Sequence, residues 1–242
     1  MKINNIFYAS EILKDQINLT NEEAFHCRKV LRLQPGEKIF VVDGMGDLFH
    51  CIILNYTKSL CNLEIIEHHV KWQQSKPEIH IAIAPTKNIS RFEFFLEKST
   101  EIGISEISPI VCHRSERKSV NINRLKKIII SAMKQSKQAI LPKINELTRF
   151  NSIISNSNTN KNKFIAHYEK DSSPLFNIVS AGEPVLILIG PEGDFTIDEV
   201  IMAKDSGFIP VSLGSSRLRT ETAGIAACHT LNVINDNETN KI

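Results

Sequence analysis

Two stretches, Leu188-Ile189-Gly190-Pro191-Glu192-Gly193-Asp194-Phe195-Thr196 and Leu213-Gly214-Ser215-Ser216-Arg217-Leu218-Arg219-Thr220-Glu221-Thr222-Ala223, gather small and charged residues at the ends of apolar runs. Their glycines let the backbone turn tightly and come close to a ligand. Neither stretch closes with the Gly-Lys-Ser/Thr of a nucleotide-phosphate loop, and neither has the G-x-G-x-x-G spacing of a dinucleotide site. What remains is backbone exposed around small residues, able to approach a flat ligand and read it with N–H and C=O groups. An adenosine-sized cofactor fits that description, and the plain alternative is a pair of tight αβ turns. Leu188, Ile189, Leu213, Leu218 and Ile225 would be the apolar walls of a cofactor pocket. The polar run 217–222 holds more chemistry than a connector requires. It also has a plainer use: Thr220 or Thr222 can cap the next helix, with Glu221 well placed near that helix's N-terminus.

Each stretch follows a strand-like run, 184–189 and 208–213, and leads into a helical pattern. Both turns therefore fall at the carboxyl ends of strands, where open α/β sheets bind ligands. The continuous apolar run 79–84 predicts a strand buried on both faces. A helix follows from a Ser90 cap through Ile102, with Phe92, Phe95, Leu96 and Thr100 on one stripe and Gly103 as its stop. Strands are expected at 106–112 and 163–167, and the Asn/Ser-rich 156–162 reads as a mobile loop. A helix at 123–139 turns Leu125, Ile128, Ile129, Ala132 and Met133 inward and its lysines outward, and Leu141-Pro142 ends it. Strands alternating with helices predict an α/β domain with a parallel sheet.

Residues 1–72 read differently. Short apolar segments at 6–9, 38–43, 48–55 and 61–67 are broken by turn signals at 34–37 and 43–47, the second a hairpin. Thr20 and Glu23 have the spacing of a capping box for a helix at 21–31, which carries His26, Arg28 and Lys29, with Arg32 just beyond. A compact barrel with one helix suits these lengths, and small barrels often bind RNA. The polar stretch 71–76 precedes Pro77, so the boundary is set at 72/73, where Trp72 could pack at the junction.

At 242 residues, 42% hydrophobic and 23% charged, the composition is that of a soluble globular protein. No apolar run approaches the ~18–20 residues that span a bilayer. The N-terminal residues 1–5 lack the regions of a signal peptide, so a cytoplasmic address is expected. The five cysteines are scattered without a C-x-x-C pair and read as buried thiols; neither a disulfide framework nor a metal site is expected. The net charge is only +2, but residues 113–143 hold nine basic residues against one acidic. That is the footprint expected for a polyanion, or else a solvated helix face. Within it His113 reads as a satisfied core histidine.

Taken together, the segments 190–196 and 213–223, with Arg91-Phe92-Glu93 through Glu97-Lys98-Ser99-Thr100-Glu101-Ile102-Gly103, resemble the RsmE family of ribosomal RNA methyltransferases. His26-Cys27-Arg28-Lys29-Val30-Leu31-Arg32-Leu33, Pro35-Gly36 and Asp43-Gly44 resemble that family's N-terminal domain. The resemblance implies a SPOUT-type knotted α/β methyltransferase domain over 73–242, with a C-terminal trefoil knot, behind a PUA-like β-barrel RNA-binding domain over 1–72. It also implies a homodimer that methylates N3 of a uridine in small-subunit ribosomal RNA, with the assembled subunit as partner and S-adenosylmethionine as cofactor.

By match, Leu188, Ile189, Gly190, Pro191, Glu192, Gly193, Leu213, Gly214, Leu218, Arg219, Thr220, Thr222 and Ala223 would line the cofactor site, with His167 at the end of the preceding strand. Arg219 would stabilise charge developing on the uracil oxygens, and Glu221 or Glu192 would be the nearest base. Arg28, Lys29, Arg32, Arg114, Arg117 and Lys118 would contact phosphates. Another SPOUT activity, such as ribose methylation, and a non-catalytic RNA-binding or assembly role are the alternatives. The chain departs from the family at Lys134-Gln135-Ser136-Lys137-Gln138, where many relatives carry an acid first and an arginine last.

Overall fold

The structure is a computed structural model that describes residues 5–74, 76–157, 162–167, 169 and 172–239. Contacts divide the chain into two units, Met1–Ser75 with Ile130–Leu141, and Lys76–Ile129 with Pro142–Ile242. The first differs from a single cut at 72/73 by taking in the segment 130–141.

The first unit is a five-stranded sheet. Its strands are β1 (Ile6–Tyr8), β2 (Gln16–Thr20), β3 (Lys38–Val42), β4 (Leu48–Tyr56) and β5 (Leu60–His69), in the order β1-β3-β4-β5-β2. Strand β2 was not expected, although Ile17 and Leu19 alternate inward between exposed polar neighbours. The 43–47 hairpin is present: the Asp43 carboxylate accepts the N–H groups of Met45 and Asp47 at 2.7 and 3.1 Å, and antiparallel β3 and β4 meet on either side.

Between β2 and β3 the expected single helix is instead α1 (Asn21–Phe25) followed by a wider π-helical turn, His26–Val30. Its expected capping box is absent. Thr20 makes no side-chain cap, and Glu23 instead accepts the Tyr8 N–H at 3.2 Å and pairs with Lys134. Lys134, where the resemblance implies an acid, brings a base to an acid of the same unit. The Cys27 thiol lies 3.2 Å from the Tyr56 hydroxyl, which donates to the Leu33 carbonyl at 2.9 Å and pins the turn to β4. Trp72 is 40% exposed.

The second unit runs β6 (Ile79–Ile83), α2 (Ile89–Ile102), β7 (Glu106–Val111), α3 (Ile122–Gln135), β8 (Lys143–Ile144), β9 (Thr148–Arg149), α4 (Phe150–Asn156), β10 (Asn162–Ala166), β11 (Ser173–Pro174), α5 (Leu175–Ile178), β12 (Val185–Ile189), α6 (Ile197–Asp205), β13 (Ile209–Ser212) and α7 (Thr220–Thr239). The last residues of α3 fall in the first unit. The strand order is β11-β13-β10-β12-β6-β7-β8, all parallel, with β9 pairing β7. Every residue of β6 and β12 is buried, as continuous apolar runs in a parallel sheet require.

The stripe Phe92, Phe95, Leu96 and Thr100 of α2 is buried, but the helix is capped by Asn88, whose side chain accepts the Ser90 N–H, rather than by Ser90 itself. Helix α7 packs on α2 and β6 closely enough that a Cβ at Gly224 would lie 2.6 Å from the Phe95 ring and 2.9 Å from Ile83. All five cysteines are buried. Residues 158–161 of the expected loop, and 1–4 at the N-terminus, lie outside the described residues.

Candidate active site

Strands β10, β12 and β13 end side by side, and the chain leaves β12 and β13 through the two glycine-bearing stretches. Gly190 to Phe195 is fixed from several directions. The Asp194 N–H donates to the Pro191 carbonyl at 2.9 Å, the Lys87 N–H to the Glu192 carboxylate at 2.9 Å, and the Arg114 guanidinium to the Gly193 carbonyl at 2.8 Å. Phe195 is buried against Phe150, with ring centroids 5.6 Å apart. The turn ends in a full capping box on α6, Thr196 with Glu199. The second turn places Gly214 at φ 126°, a conformation open to glycine and costly for other residues. The Thr220 hydroxyl donates to the Gly190 carbonyl at 3.1 Å, joining the two turns.

Between the turns opens a cavity of about 670 Å³. Ile189, Gly190, Pro191 and Glu192 form one wall. Leu213, Gly214, Leu218, Arg219, Thr220 and Ala223 form the other, and His167 closes the end of β10. These expected residues are therefore brought together.

Four others do not line the cavity. Leu188 is fully buried in the core with Ala82 and Leu186. Gly193 lies against the Arg114 side chain. Thr222 is exposed on α7. Glu221 is buried in the first turn of α7. Ile225, named as an apolar wall, is also absent from the lining. The lining adds Arg91, Ala166, Asp194, Val211, Ser212, Ser215, Ser216 and Arg217. The strand-end residues among these follow from the site's place in the sheet; Arg91 arrives from α2, distant in sequence.

Charge in the cavity is uneven. Glu192 already accepts a backbone N–H. Asp194, held at φ 62°, accepts the Phe195 N–H at 2.7 Å and sits 3.1 Å from His167 Nδ1. The basic side chains are Arg91, Arg217 and Arg219, of which Arg91 Nε lies 3.9 Å from Glu221 Oε1.

The six expected phosphate contacts lie in both units. Arg28, Lys29 and Arg32 are exposed on and just beyond the π-helical turn, with Arg28 over the Tyr56 ring at 5.5 Å. Lys118 is exposed. Arg114 braces the first turn, while Arg117 donates to the carbonyls of Thr86 and Lys87 at 2.9 and 2.6 Å. His113, expected in the core, is exposed; its backbone N–H, rather than its ring, makes the structural bond, to Glu199 at 2.8 Å.

A second polar group sits at the opposite end of the sheet. One ligand atom each from Glu78, His80 and Glu106 lies within 4.8 Å of the others, spacing that could hold a metal ion. However, Glu106 Oε1 already accepts Lys143 at 2.9 Å and Asn145 at 2.6 Å, and His80 Nε2 is 2.8 Å from the Ser108 hydroxyl. Burial, opposed by Glu106 and aided by Lys143, holds His80 below the usual histidine range. Desolvation works to raise Glu106, yet the bonds from Asn145 and Lys143 bring it below the usual carboxylate range. Glu78 is raised by burial and by its bond to Glu106.

Sequence comparison gives this geometry its family. Residues 73–232 match the model of an RNA methyltransferase domain, and 19–66 that of an RNA methyltransferase PUA domain. Ribosomal RNA small subunit methyltransferase E of Rickettsia conorii is 30% identical over 233 residues, 94% of each chain. The chain belongs to this RNA methyltransferase family. Its fold is that of the SPOUT methyltransferases with an N-terminal PUA-like domain. The crystal structure of Ribosomal RNA small subunit methyltransferase E from Neisseria gonorrhoeae bound to S-adenosyl methionine superposes with a TM-score of 0.84 at 26% identity, covering 96% of this chain and 98% of that one. The crystal structure of a probable rRNA-methyltransferase from Porphyromonas gingivalis superposes with a TM-score of 0.89 at 37% identity, over 97% of this chain and 100% of that one. No helix among the described residues is long and apolar enough to cross a membrane.

Proposed function

We propose that this chain transfers the methyl group of S-adenosylmethionine to N3 of a uridine in small-subunit ribosomal RNA. The observation that carries the reading is the cavity of about 670 Å³ at the strand ends, walled by both glycine-bearing turns in a chain of this family. Its volume suits an adenosine-sized group, and its lining of apolar side chains and exposed backbone suits a flat ring. Ile189, Gly190, Pro191, Leu213, Gly214, Leu218, Thr220 and Ala223 would hold the cofactor, which when bound supplies an activated methyl group.

N3 of uracil carries a proton at neutral pH and is a poor nucleophile until that proton leaves. The protein's work is to align N3, exclude water and favour the anion, and alignment alone is worth ~7–11 kcal/mol. Arg219, exposed on the cavity wall, is the cation for charge developing on the uracil oxygens. Glu221 is the carboxylate nearest to it in sequence, and Glu192, on the opposite wall, is already bonded to the Lys87 N–H.

Arg28, Lys29, Arg32 and Lys118, with the remaining donors of Arg114 and Arg117, would position the RNA through phosphates. The reading includes a PUA-like RNA-binding domain over 1–72, a catalytic domain with its trefoil knot over 73–242, a homodimer, a cytoplasmic address and the assembled subunit as substrate. Small-subunit particles from cells lacking the enzyme, incubated with labelled cofactor and digested to nucleosides, test it. N3-methyluridine is the expected product. A ribose-methylated product, or none, overturns the reading.

A further inference from the structure

Arg91 was not expected in the pocket, and its one ion-pair partner among the described residues is the buried Glu221. We propose that Arg91 is a second cation of the pocket, there to receive an oxyanion, and that Glu221 is a positioning residue acting through Arg91 rather than the group that takes a proton. The proposal rests on the methyltransferase reading above.

The geometry of Glu221 argues against a base. A base needs a heavy-atom approach of about 2.6–3.2 Å, or one intervening water, to the proton it removes. Glu221 is only 8% exposed and does not line the cavity. Its Oε1 lies 3.9 Å from Arg91 Nε, too far for a hydrogen bond, and its Oε2 is buried with no hydrogen-bond partner. A buried carboxylate oxygen without a donor is costly, so the position needs a compensating cation close by.

Arg91 supplies that cation from the first turn of α2, where it is 41% exposed and reaches the cavity wall. At 3.9 Å the pair is an ion pair without a hydrogen bond, so the donors of the guanidinium stay available to an incoming planar anion. The acids of the cavity do not compete: Glu192 is bonded to the Lys87 N–H, and Asp194 to the Phe195 N–H with His167 beside it. The oxyanion has two possible sources, the carboxylate of the cofactor and the deprotonated imide of the target base.

The test compares Arg91→Ala, Glu221→Gln and the double variant with wild type. It measures single-turnover transfer to small-subunit particles across pH, with cofactor affinity determined by calorimetry. Each single change is expected to slow transfer by about 10²-fold, in the range seen when one charge-stabilising donor is lost. The double variant should be no more than about threefold slower than either single, as for groups acting as one unit. The shape of the pH profile should survive in Glu221→Gln, and Arg91→Lys should recover part of the rate. Weakened cofactor affinity in Arg91→Ala identifies the cofactor carboxylate as the anion; unchanged affinity identifies the base.

Losses that multiply in the double variant, or a Glu221→Gln enzyme that alone loses the acid limb of its profile, overturn the proposal. Solvent exchange of the Arg91 Nε–H, followed by NMR without substrate, stands apart from activity. It should quicken in Glu221→Gln, and an unchanged rate contradicts the coupling. Failure of wild type to methylate the particles would instead sink the methyltransferase reading, leaving the exchange measurement to decide on the pair.

Discussion

The two ends of the parallel sheet hold polar groups of similar make-up and opposite character. At the amino end, His80 meets Ser108 at 2.8 Å and Glu106 meets Lys143 and Asn145 at 2.9 and 2.6 Å, with Glu78 beside them. The cluster has its own cation, and buried polar groups with partners of this kind hold a core in place. At the carboxyl end, arginines from α2 and from the second turn reach a cavity whose acids are already bonded, and a buried oxygen of Glu221 has no partner. Charged residues alone do not distinguish the ends. The difference lies in whether the partners are already supplied.

That contrast gives an order of expected effects. Arg219→Ala, at the open end, should lower single-turnover methyl transfer by about 10²–10³-fold while leaving the fold intact. Near-wild-type transfer would remove Arg219 from the mechanism, and a loss confined to cofactor affinity would reassign it to binding. His80→Ala, at the closed end, should cost about 1–3 kcal/mol of unfolding free energy, the penalty for leaving a buried group unpaired. Its transfer rate at a temperature where it is folded should match wild type. A large rate loss there would erase the distinction between the ends.

The pH dependence follows from the same cluster. His80 is lowered in the fold by burial, so the unfolded chain binds its proton more readily. Its contribution to stability is complete above the unfolded value, about 6.5, and is lost as pH falls from there toward the folded value. Glu106, also lowered, adds a loss of the same sign in the carboxylate range, and the raised Glu78 opposes it there. Denaturant unfolding between pH 7 and 5 should therefore show stability declining with acid in wild type and declining less in His80→Gln. Equal slopes would contradict the buried-histidine account.

The smallest effect is expected on the other unit. Arg28→Ala should reduce the slope of log affinity for RNA against log salt by about one, the signature of one lost phosphate contact. An unchanged slope would take Arg28 out of the interface.

Much of this was legible in the sequence, for reasons that individual residues make clear. The buried runs of β6 and β12 and the stripe of α2 follow from local periodicity, which the sheet then uses. The two turns were recognisable because glycine and proline mark backbone geometry directly. Where partners come from far along the chain, the pattern misleads. Thr20-x-x-Glu23 and Thr196-x-x-Glu199 have the same capping spacing, yet only the second forms the box. Glu23 is drawn instead to Lys134 and the Tyr8 N–H, and nothing near Thr20 announces that competition. Arg91 was missed in the same way, since its place in the cavity depends on how α2 packs against α7. The π-helical turn at His26–Val30 depends on the Cys27–Tyr56–Leu33 tie, again a long-range contact.

Amide hydrogen exchange with and without S-adenosylmethionine tests the central claim most directly, because it reads both ends of the sheet in one experiment. Added cofactor should slow exchange in 189–194 and 212–223 and leave the strand starts around His80 and Glu106 unchanged. Protection at the Glu78–His80–Glu106 end, or none anywhere at saturating cofactor, would contradict the assignment of the cavity.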